Sequence, residues 1–181
     1  MSEEIRPGIQ AFHVNDKARC DRFLEDESYL IISNDRYWLG NGMYFWDNNE
    51  NADYWLNEKI RKDNTKEYKV VKAIVYTDDE MLDLTTNESQ GLVNLLWDKY
   101  CEKTGEEKRK PLGEKLNMLI KFFNILSTTK IIKGVGDYNL DNKKSDCLKN
   151  SNKFTGPQIR SYIKIIYCVR DPSIVISRRE R

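Results

Sequence analysis

Histidine is almost absent from this chain, with His13 the only one in 181 residues. A metal centre of the usual zinc type is therefore not expected, because it needs imidazoles or clustered thiols. The four cysteines, Cys20, Cys101, Cys147 and Cys168, lie far apart and form no C-x-x-C pair. Free, packed thiols in a reducing cytoplasm are the expectation. No apolar run approaches the roughly 20 residues of a membrane helix, so no membrane association is expected. The opening residues, with Glu3, Glu4 and Arg6, lack the basic-then-apolar pattern of a signal peptide. Charge of one sign is not in excess either: 30 basic against 29 acidic residues give +1, which excludes a polyanionic or polycationic tail protein. The familiar catalytic signatures are missing as well. There is no G-x-x-x-x-G-K-[ST] loop, no G-x-G-x-x-G after a strand, no H-E-x-x-H and no G-x-S-x-G elbow.

What is present is a core. Hydrophobic residues make up 39% and aromatics 11%, with ten Tyr and four Trp, which argues against disorder. The length suits a single domain over residues 1–181. The near-neutral balance conceals an asymmetry: residues 143–181 hold ten Lys/Arg against three Asp/Glu. That basic segment reads as a surface edge or as a docking face for a phosphate-bearing partner.

Patterning places a strand over 8–13, a helix over 16–24 capped by Asp16, and strands over 29–32 and 42–46. A helix starting near Asp47-Asn48-Asn49 runs through Ile60, and 68–76 is the clearest strand, β-branched and mostly apolar. Asn87-Glu88-Ser89-Gln90 reads as a capping box for a helix through Tyr100. Pro111 opens another helix reaching Leu126. Residues 134–160 read as a long loop with a short helix, followed by strands over 162–169 and 173–176. Strands at both ends with helices between them predict one α+β domain whose sheet is closed by N- and C-terminal pieces.

The chemistry-bearing residues are few. His13 ends the first strand. Gly40-Asn41-Gly42-Met43-Tyr44-Phe45 precedes and forms another, and Asn51-Ala52-Asp53-Tyr54 opens the next helix. This order and spacing resemble the ADP-ribosyltransferase superfamily, specifically the His–Tyr branch that includes diphtheria toxin and the poly(ADP-ribose) polymerases. The resemblance covers residues 8–60 well and 160–177 weakly, and does not account for the middle helices. It implies an ADP-ribosyltransferase-like split β-sheet core with flanking helices. It also implies a mono-ADP-ribosyltransferase that uses NAD as co-substrate, with no metal. Such an enzyme cleaves the nicotinamide–ribose bond and passes ADP-ribose to a macromolecular acceptor, protein or nucleic acid. A toxin or phage-conflict effector, with a possible antitoxin, is the corresponding biological expectation.

The residue types suit that chemistry. Nicotinamide in NAD is a flat, partly cationic ring that an aromatic sandwich would hold, with Tyr44 and Tyr54 as its two sides. Asn51 and the backbone beside His13, at Val14, would bond the carboxamide, and the His13 imidazole would hold a ribose hydroxyl. Gly42, with Gly40, would admit the dinucleotide to the backbone, and Phe45 completes the strand. The family's late-strand Glu has no counterpart here. Gln158, Arg160 and Ser161 stand near that position. Gln158 would hold the 2′-hydroxyl without a negative charge, whereas Arg160 would grip pyrophosphate or acceptor. Relatives without the Glu generally transfer a single unit. Two other readings stay open: a module that binds NAD or ADP-ribose without turnover, and an aromatic-rich nucleic-acid-binding domain using the basic C-terminal segment with Trp38, Trp46 or Tyr162 for stacking.

Overall fold

The computed structural model describes residues 7–77, 80–137 and 163–181. These form a single mixed α/β domain with seven strands and five helices. The strands are β1 (Gly8–Asp16), β2 (Met43–Trp46), β3 (Tyr68–Tyr76), β4 (Met81–Asp83), β5 (Ile131–Asp137), β6 (Ile163–Val169) and β7 (Val175–Glu180). They lie in one sheet in the order β4-β5-β6-β2-β1-β3-β7. All neighbours are antiparallel except the parallel pair β4–β5. The C-terminal strands fill two separate places: β6 sits between β5 and β2, and β7 lies on the outer side of β3. Closure of the sheet from both ends of the chain is thus observed.

The helices are α1 (Lys17–Glu25), α2 (Asn49–Lys62), α3 (Asn87–Thr104), α4 (Leu112–Phe122) and α5 (Asn124–Ser127). Alternation along the strands sorts side chains to two faces. On one face Ala11, Met43, Phe45, Val71 and Val169 join Phe23 of α1 in a core. On the other, Trp46, Ile132 and Ile166 pack with Trp97 of α3 and Leu116 of α4. A smaller cluster of Phe12, Val14 and Val70 with Ala52 seats α2 beside β1.

Several expectations change in detail. Residues 29–32 are not a strand. Leu30 and Ile31 are buried in the core, but the only sheet-like pairing nearby is a bridge between Ser33 and Gly42. Asp16 occupies the N-cap position of α1 without a side-chain cap bond. The α3 cap is Thr86, whose hydroxyl accepts from Ser89 N at 3.2 Å, one residue before the expected box. Asn48 does cap α2, accepting from Asn51 N at 2.9 Å. The helix expected to reach Leu126 breaks at Phe123, where the backbone becomes extended. Residues 173–176 begin as a 3₁₀ turn, Pro172–Ile174, before β7. The expected loop from 134 begins inside β5 instead.

Candidate active cleft

The sheet is uneven at its centre. β1 pairs with β3 at nine successive positions, from Gly8↔Tyr76 to Asp16↔Tyr68. With β2 it pairs only at Phe12↔Trp46. Beyond Phe12 the two strands diverge, and the fork opens into a cleft of about 570 Å³. That volume falls in the roughly 300–1,000 Å³ range of small-molecule sites. Because the fork interrupts the sheet, side chains from both faces reach its wall.

His13 sits at the fork. Its Nδ1 lies 2.6 Å from the Tyr44 carbonyl, so the imidazole donates there and occupies an acceptor that no β1 backbone amide reaches. Asn15 Nδ2 donates to His13 Nε2 at 3.2 Å. Both ring nitrogens are therefore engaged, and the residue is 7% exposed. Burial lowers its pKa from 6.5 to about 4, partly opposed by the bond to Tyr44 and reinforced by the positive charges of Lys59 and Arg19. At neutral pH His13 is a neutral, oriented imidazole.

Tyr44 also lines the cleft. Its hydroxyl donates to Gly40 O at 2.7 Å and accepts from Leu39 N at 3.0 Å. Burial pushes the phenol far above its ordinary pKa. The hydroxyl thus fastens the 33–42 loop across β2, while the ring faces the cavity. Arg170 and Asn117 hold the same loop: Arg170 Nη1 donates to Asn41 O at 2.9 Å, and Asn117 Oδ1 accepts from Asn41 N at 2.8 Å.

The other expected site residues fall in different places. Val14 lines the cleft. Tyr54 is not on its wall but lies edge-on to Trp55, with centroids 5.6 Å apart. Trp55 lines the cleft instead, stacked on Trp46 at 5.5 Å and 16°. Trp38, from the fastened loop, adds a third indole. Phe45 is fully buried on the opposite face, against Phe23 and His13. A Cβ on Gly42 would collide with Cys168 Sγ and come within 2.7 Å of Val169 O. The residue is glycine because β2 closes on β6 there. Gly40 has φ +83°, and its Cβ would meet Asn117 Oδ1 at 2.6 Å, so this glycine serves the turn and its packing on α4.

Asn51 is 1% exposed and not on the cleft wall. Its Nδ2 donates to Asp47 Oδ1 at 2.8 Å, while its Oδ1 has no partner. Gln158, Arg160 and Ser161 lie outside the described residues. The cleft also carries charged groups that the sequence did not assign to the site: Arg19, Lys59 and Lys66, with Asp16 and Asp35. A helical stripe could have disclosed two wall residues, since Trp55 and Lys59 follow Asn51 at i, i+4 spacing on α2.

Among the described residues no group of three or more His, Cys, Asp or Glu could hold a metal. None of their helices is long and apolar enough to cross a membrane. Cys20, Cys101 and Cys168 are free and buried, and burial raises the pKa of Cys168 to about 12.

Fold and cleft define a mixed α/β domain with a ligand-sized opening at a fork in its sheet. No sequence family matches the chain, and no solved structure matches it. It is similar to an uncharacterised protein of Methanocaldococcus jannaschii, 27% identical over 89 residues. That match spans 48% of this chain and 42% of the archaeal protein.

Proposed function

We propose that the chain is an NAD-dependent mono-ADP-ribosyltransferase working in the cleft between β1 and β2. One observation carries this reading. His13 and Tyr44, 31 residues apart in sequence, meet through a 2.6 Å hydrogen bond at the fork of the sheet, on the wall of the cleft of about 570 Å³. The local divergence of β1 from β2 supports the split core that the resemblance implies. The aromatic wall of Tyr44, Trp38, Trp46 and Trp55 suits a flat, electron-poor ring, with Trp55 taking the part first expected of Tyr54.

In the reaction the C1′–N bond of the nicotinamide riboside breaks, and nicotinamide departs with the bonding pair. The oxocarbenium-like centre is captured by an acceptor nucleophile, which then loses its proton. A neutral His13 adds no positive charge beside that cation. Its Nε2 is free to accept a ribose hydroxyl once the Asn15 amide turns aside. The bond from His13 to Tyr44 O keeps the ring's orientation fixed through this exchange. The acceptor is a protein or nucleic acid, and a role as a conflict effector belongs to the same proposal. The engagement of both His13 nitrogens favours one second reading, a module that holds NAD or ADP-ribose without turnover.

The test is incubation with labelled NAD and candidate acceptors, following nicotinamide release and label transfer. Release and transfer by the wild type, lost in Tyr44→Ala and His13→Ala and partly kept in His13→Gln, support the transferase. Binding without release points to the module. Nucleic-acid binding indifferent to NAD removes both. Comparison of Gln158→Ala with Arg160→Ala decides which residue serves the late-strand position.

A further inference from the structure

We infer that Arg19 and Lys59 form an anion subsite of the cleft that takes the diphosphate of a dinucleotide. The inference rests on the reading of this cleft as a dinucleotide site and gives its diphosphate to two residues of the cleft wall, where the sequence alone offered Arg160. Arg19 comes from α1 and Lys59 from α2, helices that pack on opposite faces of the sheet, yet both line the same cavity. Arg19 is near enough for its charge to act on Lys59.

Neither side chain is in an ion pair among the described residues. Two other partly buried lysines are each held by two carboxylates: Lys69 by Asp21 and Glu180, and Lys110 by Glu106 and Glu114. Lys59 is half-buried. Burial lowers its pKa, and its Nζ faces the Tyr68 ring at 5.7 Å. A cation partly withdrawn from water without a bonded carboxylate is costly, and a bound anion removes that cost. The charges of Lys59 and Arg19 both act on His13, so the subsite adjoins the imidazole assigned to the ribose.

The two acids on the wall bond neither Arg19 nor Lys59. Asp35 Oδ1 accepts from the amides of Tyr37 and Trp38 at 2.6 and 2.9 Å. Asp16 acts on Lys59 at a distance, without a hydrogen bond. Lys66 adds a third positive charge at the rim, 3.4 Å from Asp63. Aromatic and cationic walls in one cleft suit a ligand with a flat ring and a diphosphate.

The experiment measures binding, not turnover. Tryptophan fluorescence is titrated with ADP, nicotinamide and a single-stranded oligonucleotide, for wild type, Arg19→Gln, Lys59→Gln and Lys59→Arg. The ADP Kd is expected to rise about tenfold in each Gln variant, as for loss of one charge-assisted hydrogen bond. Lys59→Arg should stay near wild type, and nicotinamide affinity should hardly move. Absence of ADP binding to the wild type, or an unchanged ADP Kd in both Gln variants, overturns the subsite. So does oligonucleotide binding tighter than ADP that weakens in the same variants, since that marks a nucleic-acid backbone site. If ADP behaves as expected but no nicotinamide is released from NAD, the subsite stands and the transferase reading falls.

Discussion

Acidification provides a direct probe of the fork, because the chain carries one imidazole. In the fold His13 is held neutral, with its pKa lowered from 6.5 to about 4, mainly by burial. The unfolded chain takes up a proton near the ordinary value. Stability contributed by neutral His13 is therefore complete above about pH 6.5 and drains away as pH falls toward 4. Below that both states are protonated and the loss levels off. The linkage amounts to roughly 2 kcal/mol by pH 5. Carboxylates titrate in the same window, so urea melts are compared between wild type and His13→Gln at each pH. The wild-type advantage should shrink by about that amount between pH 7.5 and 5. The ring C2 proton in a ¹H NMR spectrum gives an independent measure, since it has no counterpart elsewhere in the chain. Its midpoint should lie near pH 4. A midpoint between 6 and 7, or a wild-type advantage flat with pH, refutes a buried imidazole bonded to Tyr44 and Asn15.

Three further outcomes follow from the packing. Gly42→Ala should cost about 1–3 kcal/mol, read by urea denaturation, because its methyl meets Cys168 and the Val169 carbonyl on β6; wild-type stability would contradict the close β2–β6 approach. Tyr44→Phe should lose about 1–3 kcal/mol, because Leu39 N and Gly40 O lose their shared partner, and proteolysis of the 33–42 loop should quicken. Arg178→Met should cost about 3 kcal/mol: the guanidinium donates to the carbonyls of Phe23, Asp26, Glu27 and Tyr29, tying the end of α1 and the chain after it to β7. A thermal midpoint unchanged in that variant would show those carbonyls to be adequately hydrated without it.

Most of the fold is legible in periodicity. The run Tyr68–Tyr76 is β-branched and becomes the strand shared by β1 and β7. Elements whose form depends on distant partners are not legible. β5 carries Gly134 and Gly136, which locally read as loop. Yet a Cβ on Gly134 would lie 2.8 Å from Leu39 Cδ2, so the glycine accommodates a leucine 95 positions away. β4 has only three residues, too few for a period. Leu30 and Ile31 have a strand's composition but spend it on core contacts without a ladder. In the cleft, His13, Val14 and Tyr44 were readable because the motif spacing carried them. Arg19 was not, since its place on the wall depends on how α1 lies against the fork.

The strand order has a consequence for how the site comes into being. β2 is fastened to β6 at four positions, Met43↔Val169 to Trp46↔Ile166, and to β1 at one. During synthesis, the segment bearing Tyr44 and Trp46 emerges long before residues 163–169, its main neighbour. Contacts so distant in sequence close slowly. A nascent chain that has completed β1, β2 and α2 therefore holds His13, Tyr44 and Trp55, yet lacks the strand that pairs with β2 along its whole length. Any ligand binding should switch on only after β6 has left the ribosome, so its timing is set by residues some 120 positions beyond Tyr44.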